Sequence, residues 1–405
     1  MQVLVINSGS SSVKYELFEI DPPRSLLEGE VERIGQEGAP RDHHEALGIV
    51  FGVLEDQDSP ASIADIVAVG HRVVHGGDRF ADPVIVDESV LAGIRELALL
   101  APLHTKANLA GIEAARAWLP GVAHVAVFDT AFHRTMPPHA REYALPRELA
   151  REHGIRRYGF HGTSHAFVAR RAAAMLDRPL SELNLITLHL GNGASVSAIQ
   201  GGRSIDTSMG MTPLEGLVMG TRCGDVDPAV PMLLGEITGR TREEVHHLLN
   251  FESGLLGLSG QSDMRGVHRL AEEGDPDARL AVEMFCYRAK KYLGAYYAVL
   301  GHVDAVVFTA GIGEHDAEIR ARICDGLTRL GIEIAEEENV RPQEKVVAPG
   351  ASGGEPRPGE RVISPPGTEV AVLVIPTDEE LEIARAAFAC VQSHTTNFRP
   401  RSDRQ

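Results

Sequence analysis

Residues 3–19, VLVINSGSSSVKYELFE, and residues 183–200, LNLITLHLGNGASVSAIQ, carry the same layout: an apolar strand, a polar turn with glycine, and a second strand. In the first copy Val3 to Ile6 is an apolar run of buried-strand length. Val13, Tyr15 and Leu17 then alternate with Lys14 and Glu16, the period of a half-buried strand. The turn between them holds Gly9, the Asn7 amide and the hydroxyls of Ser8, Ser10, Ser11 and Ser12, with the Lys14 ammonium just beyond. A two-residue hairpin needs none of that polarity. So many donors around one glycine suit an anion, phosphate above all, although a solvated serine turn has the same composition. The Walker pattern GxxxxGK[ST] is absent, and a strand rather than a helix follows. A third version, VDAVVFTAGIGEHDAEIRARI at 303–323, runs from a strand through a Gly-Ile-Gly turn into an acidic helix start. Recurrence at this spacing is too long for a solenoid and points to a duplicated unit.

A chain of 405 residues is long for one core, so two domains are expected. The net charge of −18 argues against nucleic acid and anionic membrane surfaces as partners. Any anion must then be held by a few cations focused in a cleft. No apolar tract is long enough to span a bilayer, and the chain opens directly on a strand, which predicts no cleavable leader. The cysteines at 223, 286, 324 and 390 are far apart with no CxxC pair, which predicts a reducing cytoplasm and neither a disulfide nor a zinc framework.

Helical patterns fall at 88–102, 164–177 and 277–302, the last apolar on more than one face, as in a core helix or a subunit interface. The Pro/Gly-rich stretch 348–369 reads as a surface loop. Beyond it come a buried strand and a helix whose first turn holds Asp378, Glu379 and Glu380, where acids suit the helix dipole. Residues 393–405 read as a disordered tail.

Polar residues recur where apolar strands end. Arg72 precedes a Gly-Gly turn, Asp129 closes the strand run at 122–128, and Arg222 lies in a glycine-flanked loop. Asp263 and Arg265 share the segment LSGQSDMRG. His161 and His165 are four apart but lack the Glu of a zinc-binding HExxH. Singly, each is an ordinary turn or surface ion pair. Together, glycine turns, a few cations and two carboxylate positions are what phosphoryl transfer needs, because its transition state is anionic and Mg²⁺ takes oxygen ligands.

The segments NSGSSSVKY, GHRVVHGG, APLH, FDTAFH, YGFHGTSH, HLGNGAS, TPLEGLVMGTRCGD, TAGIGE and IPTDEEL, in this order, resemble the acetate kinase family from residue 2 to about 384. The resemblance implies an α/β protein of two duplicated ribonuclease H-like (actin-like ATPase) domains with an active-site cleft between them. The first would span 1–131, joined by the C-terminal helix 378–392, and the second 132–377 with the nucleotide-binding turns. It implies reversible transfer of the ATP γ-phosphoryl group to acetate, giving acetyl phosphate and ADP, with Mg²⁺ (Mn²⁺ as a substitute), in a cytoplasmic homodimer.

Position by position, the resemblance assigns the metal to Asn7 and Glu379, and nucleotide phosphate to Lys14, Ser10 and Ser12. The phosphate cradle would be His189, Leu190, Gly191, Asn192 and Gly193. Adenosine would lie against Asp263, Met264 and Arg265 and against Gly311, Ile312, Gly313, Glu314 and His315. Arg72 would hold the acyl carboxylate or phosphate, beside an acyl pocket of Val74, Leu103, Phe160 and Pro213. Asp129 takes the family's catalytic acid position, and His161 and Arg222 would stabilise the transition state. The chain departs from the family pattern at His315, after His104, and at Asp378. A propionate or butyrate kinase would differ only in the acyl pocket. More distant alternatives are a sugar kinase of the superfamily and a nucleotide-binding protein without chemistry.

Elementary acid–base chemistry bears on the choice. A carboxylate acceptor has a pKa of about 4, is ionised at neutral pH and needs no general base, whereas a sugar hydroxyl does. Asp129 is therefore expected to orient metal or water rather than to take a proton.

Overall fold

The polar turn at Gly9 separates β1 (Gln2–Ser8) from β2 (Ser12–Ile20), which pair antiparallel with Asn7 opposite Lys14. The computed structural model describes residues 1–56, 62–99, 102–341 and 357–397. β3 (Pro23–Glu32) completes a three-stranded meander. β4 (Ile66–Val73) lies parallel to β1; β5 (Val84–Ile85) is a short edge strand antiparallel to β6 (Ala123–Phe128), which is parallel to β4. The sheet order is β3-β2-β1-β4-β6-β5.

The second sheet uses β7 (Asn184–Leu190), β8 (Ala194–Gln200), β9 (Arg203–Thr207), β10 (Ala305–Thr309), β11 (Arg361–Val362) and β12 (Ala371–Val374). Its order, β9-β8-β7-β10-β12-β11, repeats the first position for position. A meander comes first, then two parallel strands, then an antiparallel edge. The duplication predicted from the two glycine turns is thus realised as two copies of one α/β sheet. The chain divides into two compact units, Met1–Ala131 with the segment from Asp378 onward, and Phe132–Thr377.

Strands that lie inside a parallel sheet are covered on both faces, which is why residues 3–6 of β1 read as a continuous apolar run and β7 is buried along its whole length. Val3, Leu4, Val5 and Ile6 are all buried. In the first unit Leu4, Ile6 and Leu17 belong to one core with Leu47, Phe51 and Ala115, from helices His43–Leu54 and Pro102–Trp118. Helix Glu379–Asn397 seats directly on β4: a Cβ at Gly70 would lie 2.8 Å from Ile383 Cγ2. In the second unit helix Gly162–Met175 packs on β7, and helix Pro276–Leu300 packs on β8.

Four local expectations change. The 88–102 pattern is helix Glu88–Glu96 with a 3₁₀ turn Leu97–Leu99, and Pro102 opens the next helix; proline lacks an N–H and suits a first helical position. The Gly-Ile-Gly segment is no turn but the short helix Ala310–His315, whose start is held by the Ala310 N–H donating to Glu314 Oε1 at 2.8 Å. Within 348–369, residues 348–356 lie outside the described residues, but the remainder is no surface loop. Glu360 is buried and accepts from Arg171 Nε and Nη2 at 2.6 and 2.7 Å, a pairing that composition cannot reveal. Finally, the last helix continues to Asn397, past residue 392. Ser393 Oγ and His394 Nδ1 both donate to the Cys390 carbonyl, and no proline or glycine interrupts the segment before Pro400.

Candidate functional site

In the first unit the parallel strands β1, β4 and β6 end on the same side, and their carboxyl ends carry Asn7, Arg72 and Asp129. This is where open α/β sheets hold ligands. Asp129 follows β6 and is 1% exposed. It accepts from Arg72 Nε at 3.0 and 3.1 Å and from Arg72 Nη2 at 2.7 Å. Glu379, at the start of the last helix, brings a second carboxylate oxygen to 3.9 Å from Arg72 Nη2. Burial raises the Asp129 pKa and the Arg72 charge opposes that rise. Burial alone would lower the Arg72 pKa, but Asp129, Glu379 and Glu380 outweigh it and raise it.

The Gly9 turn is closed by the Gly9 N–H donating to Ser12 O at 2.8 Å. Lys14 is 57% exposed, with Glu30 at 3.7 Å; Ser10 is exposed and Ser12 partly buried. Asn108 ties this turn to the end of β4: its Nδ2 donates to Ser8 O at 3.0 Å, and its Oδ1 accepts from Val74 N at 3.2 Å. Sequence reading missed Asn108, whose one signal is a buried amide inside the helix Pro102–Trp118. Leu103 follows Pro102 in the first turn of that helix, and its side chain lies outside the described residues.

A second omission is Glu16. Its carboxylate lies with those of Asp378 and Glu380, all within 4.8 Å of one another. Asp378 also accepts from Leu381 N at 3.0 Å, the helix-start role that acids there commonly have. Burial foremost, and then the charges of Asp378 and Glu380, push the Glu16 pKa up to about 7, against a side-chain hydrogen bond with Ser25. The unfolded carboxyl titrates near 4.5, so stability falls as pH rises through the window from 4.5 to about 7 and stays lost above it. Glu16→Gln is therefore expected to melt higher than the parent at pH 8 and no higher at pH 5, in thermal scans with EDTA present. An equal shift at both pH values would assign the effect to packing.

In the second unit the β7–β8 turn is closed by the Gly191 N–H donating to Gly193 O at 3.0 Å. A Cβ at Gly193 would lie 3.0 Å from Arg222 Nη2 and 3.3 Å from His161 Nε2. Glycine there lets both side chains reach one point on the turn. His161 sits in the left-handed region (φ 57) at the start of helix Gly162–Met175 and stacks on His189 with ring centroids 4.1 Å apart. Arg222 Nη1 donates to Pro213 O at 2.7 Å, and burial lowers its pKa. Among the described residues Arg222 forms no ion pair, unlike Arg72. His189 Nδ1 contacts Ser164 Oγ at 2.8 Å, and Leu190 and Phe160 are buried in the core.

A cavity of about 970 Å³ is lined by Gly191, Asn192, Asp263, Met264, Arg265, Gly311, Ile312 and His315. Those residues come from three separate glycine-bearing segments predicted to hold nucleotide. Gly313 is buried, and Glu314 is engaged in structure, since its Oε1 accepts from Ala310 N and also from Thr377 N at 3.1 Å. His268 also lines the cavity and was missed: its Nε2 donates to Asp316 Oδ2 at 2.8 Å, a bond that raises its pKa. No periodic or glycine signal marks it.

A duplicated α/β sheet with glycine turns, on one of which Arg222 and His161 converge, is the arrangement of a phosphotransferase. Residues 2–385 match the acetokinase family, and the chain belongs to that family. The acetate kinase of Syntrophobacter fumaroxidans is 49% identical over 97% of this chain and 97% of its own length. The crystal structure of Porphyromonas gingivalis acetate kinase is 42% identical, with a TM-score of 0.87, over 96% of this chain and 99% of that one. A propionate kinase from Francisella tularensis, 38% identical, has the same TM-score of 0.87 over 96% of this chain and 99% of its own.

Proposed function

We propose that the protein is an acetate kinase, transferring the γ-phosphoryl group of ATP to acetate in one reversible in-line step that yields acetyl phosphate and ADP. The observation that carries this reading is the meeting of Arg222 and His161 at Gly193, beside a cavity large enough for a nucleotide. An arginine with no counter-carboxylate among the described residues, next to a backbone anion turn, is suited to charge that develops on the moving phosphoryl group. Arg72 pairs with the acetate carboxylate while Val74, Leu103, Phe160 and Pro213 receive the methyl group. Lys14, Ser10 and Ser12 meet nucleotide phosphate, His189 to Gly193 cradle it, and the 263–265 and 311–315 segments hold adenosine.

Asn7, through its amide oxygen, and Glu379 and Asp129, through their carboxylates, offer oxygen ligands, the donor type that Mg²⁺ takes, with Mn²⁺ able to replace it. Asn7 and Glu379 are the proposed ligands, and Asp129 orients metal or water. The ion, when bound, offsets phosphate charge. Because acetate is already ionised, the problem left to this chain is to overcome repulsion between two anions, and its cations do that.

A homodimer is supported by helix Ala229–Thr238, which has no buried residue and exposes Met232 at 67% and Ile237 at 68%. A cytoplasmic location fits the four free cysteines. The acetyl phosphate formed would serve acetyl-CoA synthesis.

The test is trapping of acyl phosphate as hydroxamate with ATP, Mg²⁺ and acetate, propionate or butyrate, beside a glucose control followed by ADP release. Acetate is expected to be preferred over propionate by an amount equivalent to about 1–3 kcal/mol, the range that one methylene allows. Preference for propionate would make the chain a propionate kinase, and turnover of glucose alone would overturn the reading.

A further inference from the structure

Thr187, His165 and Ser195 form a chain of hydrogen bonds that ends on His161. Thr187 Oγ1 lies 2.7 Å from His165 Nδ1, His165 Nε2 lies 2.8 Å from Ser195 Oγ, and Ser195 Oγ lies 2.9 Å from His161 Nδ1. The first three residues are fully buried. Thr187 stands on β7 and Ser195 on β8, so the antiparallel pair presents both hydroxyls to the helix that carries His165 and to His161 just before it.

Distances alone leave the direction of the chain open, but Thr187 settles it. Among the described residues its hydroxyl has one acceptor in reach, His165 Nδ1. The opposite direction would leave a buried hydroxyl proton with no acceptor, which folded proteins avoid. Thr187 therefore donates to His165 Nδ1. His165 is held neutral, since burial, followed by the neighbouring His133 and His189, depresses its pKa well below the usual value. A neutral imidazole that accepts at Nδ1 carries its proton on Nε2, so His165 donates to Ser195. The single Ser195 proton is then directed at His161 Nδ1.

We infer that Thr187, His165 and Ser195 are positioning residues that hold His161 as the neutral Nε2–H tautomer, its N–H aimed at the Gly193 turn. A proton on His161 Nδ1 would force the Ser195 hydroxyl to point away, with His165 already donating to it, and so would strand a buried donor. The work divides accordingly: Arg222 supplies charge, and His161 supplies a directed neutral hydrogen bond. Facing His161 are His165 through Ser195, His189 stacked on its ring, and Arg222 across Gly193; His133 meets His165 edge-on. The catalytic meaning rests on the proposed function, but the tautomer does not.

The test is a long-range ¹H–¹⁵N correlation spectrum of the ¹⁵N-histidine-labelled full chain without substrate, with His161 assigned by His161→Gln. At pH 7 the parent is expected to show His161 as the neutral Nε2–H form. Thr187→Val keeps the size and removes the hydroxyl; it is expected to mix the tautomers and to lower kcat about tenfold with KM for ATP unchanged, while Thr187→Ser restores both. An Nδ1–H tautomer or an imidazolium in the parent at pH 7 would overturn the inference, as would an unchanged tautomer in Thr187→Val. Should that variant not fold, the parent spectrum decides alone. Failure of acetate turnover with the expected tautomer present would count against the proposed function only.

Discussion

Arg222→Ala is expected to lower kcat for acetyl phosphate formation by about a thousandfold while KM for ATP stays within several-fold. Arg222 is held by the Pro213 carbonyl through Nη1, and its Nη2 reaches the Gly193 turn. Burial lowers the pKa of this guanidinium, which among the described residues has no carboxylate partner. An anion that gains charge during the reaction meets it most favourably at the transition state, so its removal acts on kcat more than on ground-state binding. Arg222→Lys keeps the charge but loses the planar fork, and should recover only part of the rate. Steady-state kinetics in both directions measure the split. A kcat for Arg222→Ala close to that of the parent would remove Arg222 from the chemistry.

Arg72→Ala should fail in two ways at once. The acetate site proposed above would lose its cation, and Asp129 is left as a buried carboxylate without its bidentate partner. Breaking a buried pair from one side costs about 3–5 kcal/mol, because the charge left behind is not compensated. The sign of the pH dependence follows. Burial already raises the Asp129 pKa, and without Arg72 nothing of comparable size opposes the rise. The folded carboxyl then binds its proton at a higher pH than the unfolded one. The loss of stability is therefore largest above the folded pKa and shrinks as pH falls through it, once the carboxyl is neutral. Urea unfolding at pH 8 and pH 5.5 should show this narrowing. The double variant Arg72→Ala/Asp129→Asn should regain much of the stability at pH 8 and none of the activity. A single variant as stable as the parent at pH 8 would show that the pair does not support the fold.

Much of the candidate site was readable because its parts announce themselves locally. Glycines 9, 191, 193 and 311 punctuate apolar strands, and a polar residue directly after such a strand, as at Asn7 or Asp129, must emerge at the carboxyl end of a sheet. What escaped were residues whose only signal is a neighbour far away in sequence. Asn108 looks like a lone amide in a helix until Ser8 and Val74 are placed around it. Glu16 alternates as an ordinary strand residue until the last helix sets Asp378 and Glu380 beside it. Glu360 belonged to a stretch read as loop, because its partner Arg171 lies 189 residues earlier.

The sequence by itself determined the duplicated α/β architecture and the family, since strand period, glycine turns and ordered motifs are local properties of the chain. Only the tertiary structure decided which charges are paired and which are left open. Arg72 and Arg222 look alike in sequence, each beside glycines. Folding gives one a buried carboxylate and the other, among the described residues, only a carbonyl. The same holds for His161 and His165, four residues apart in a segment that could have suggested a metal. The β7–β8 pair places Ser195 between them and turns them into successive members of one hydrogen-bond chain. The reason is physical: the energy of a charge or a buried proton depends on what lies within a few ångströms, and only the packing of distant strands and helices determines that.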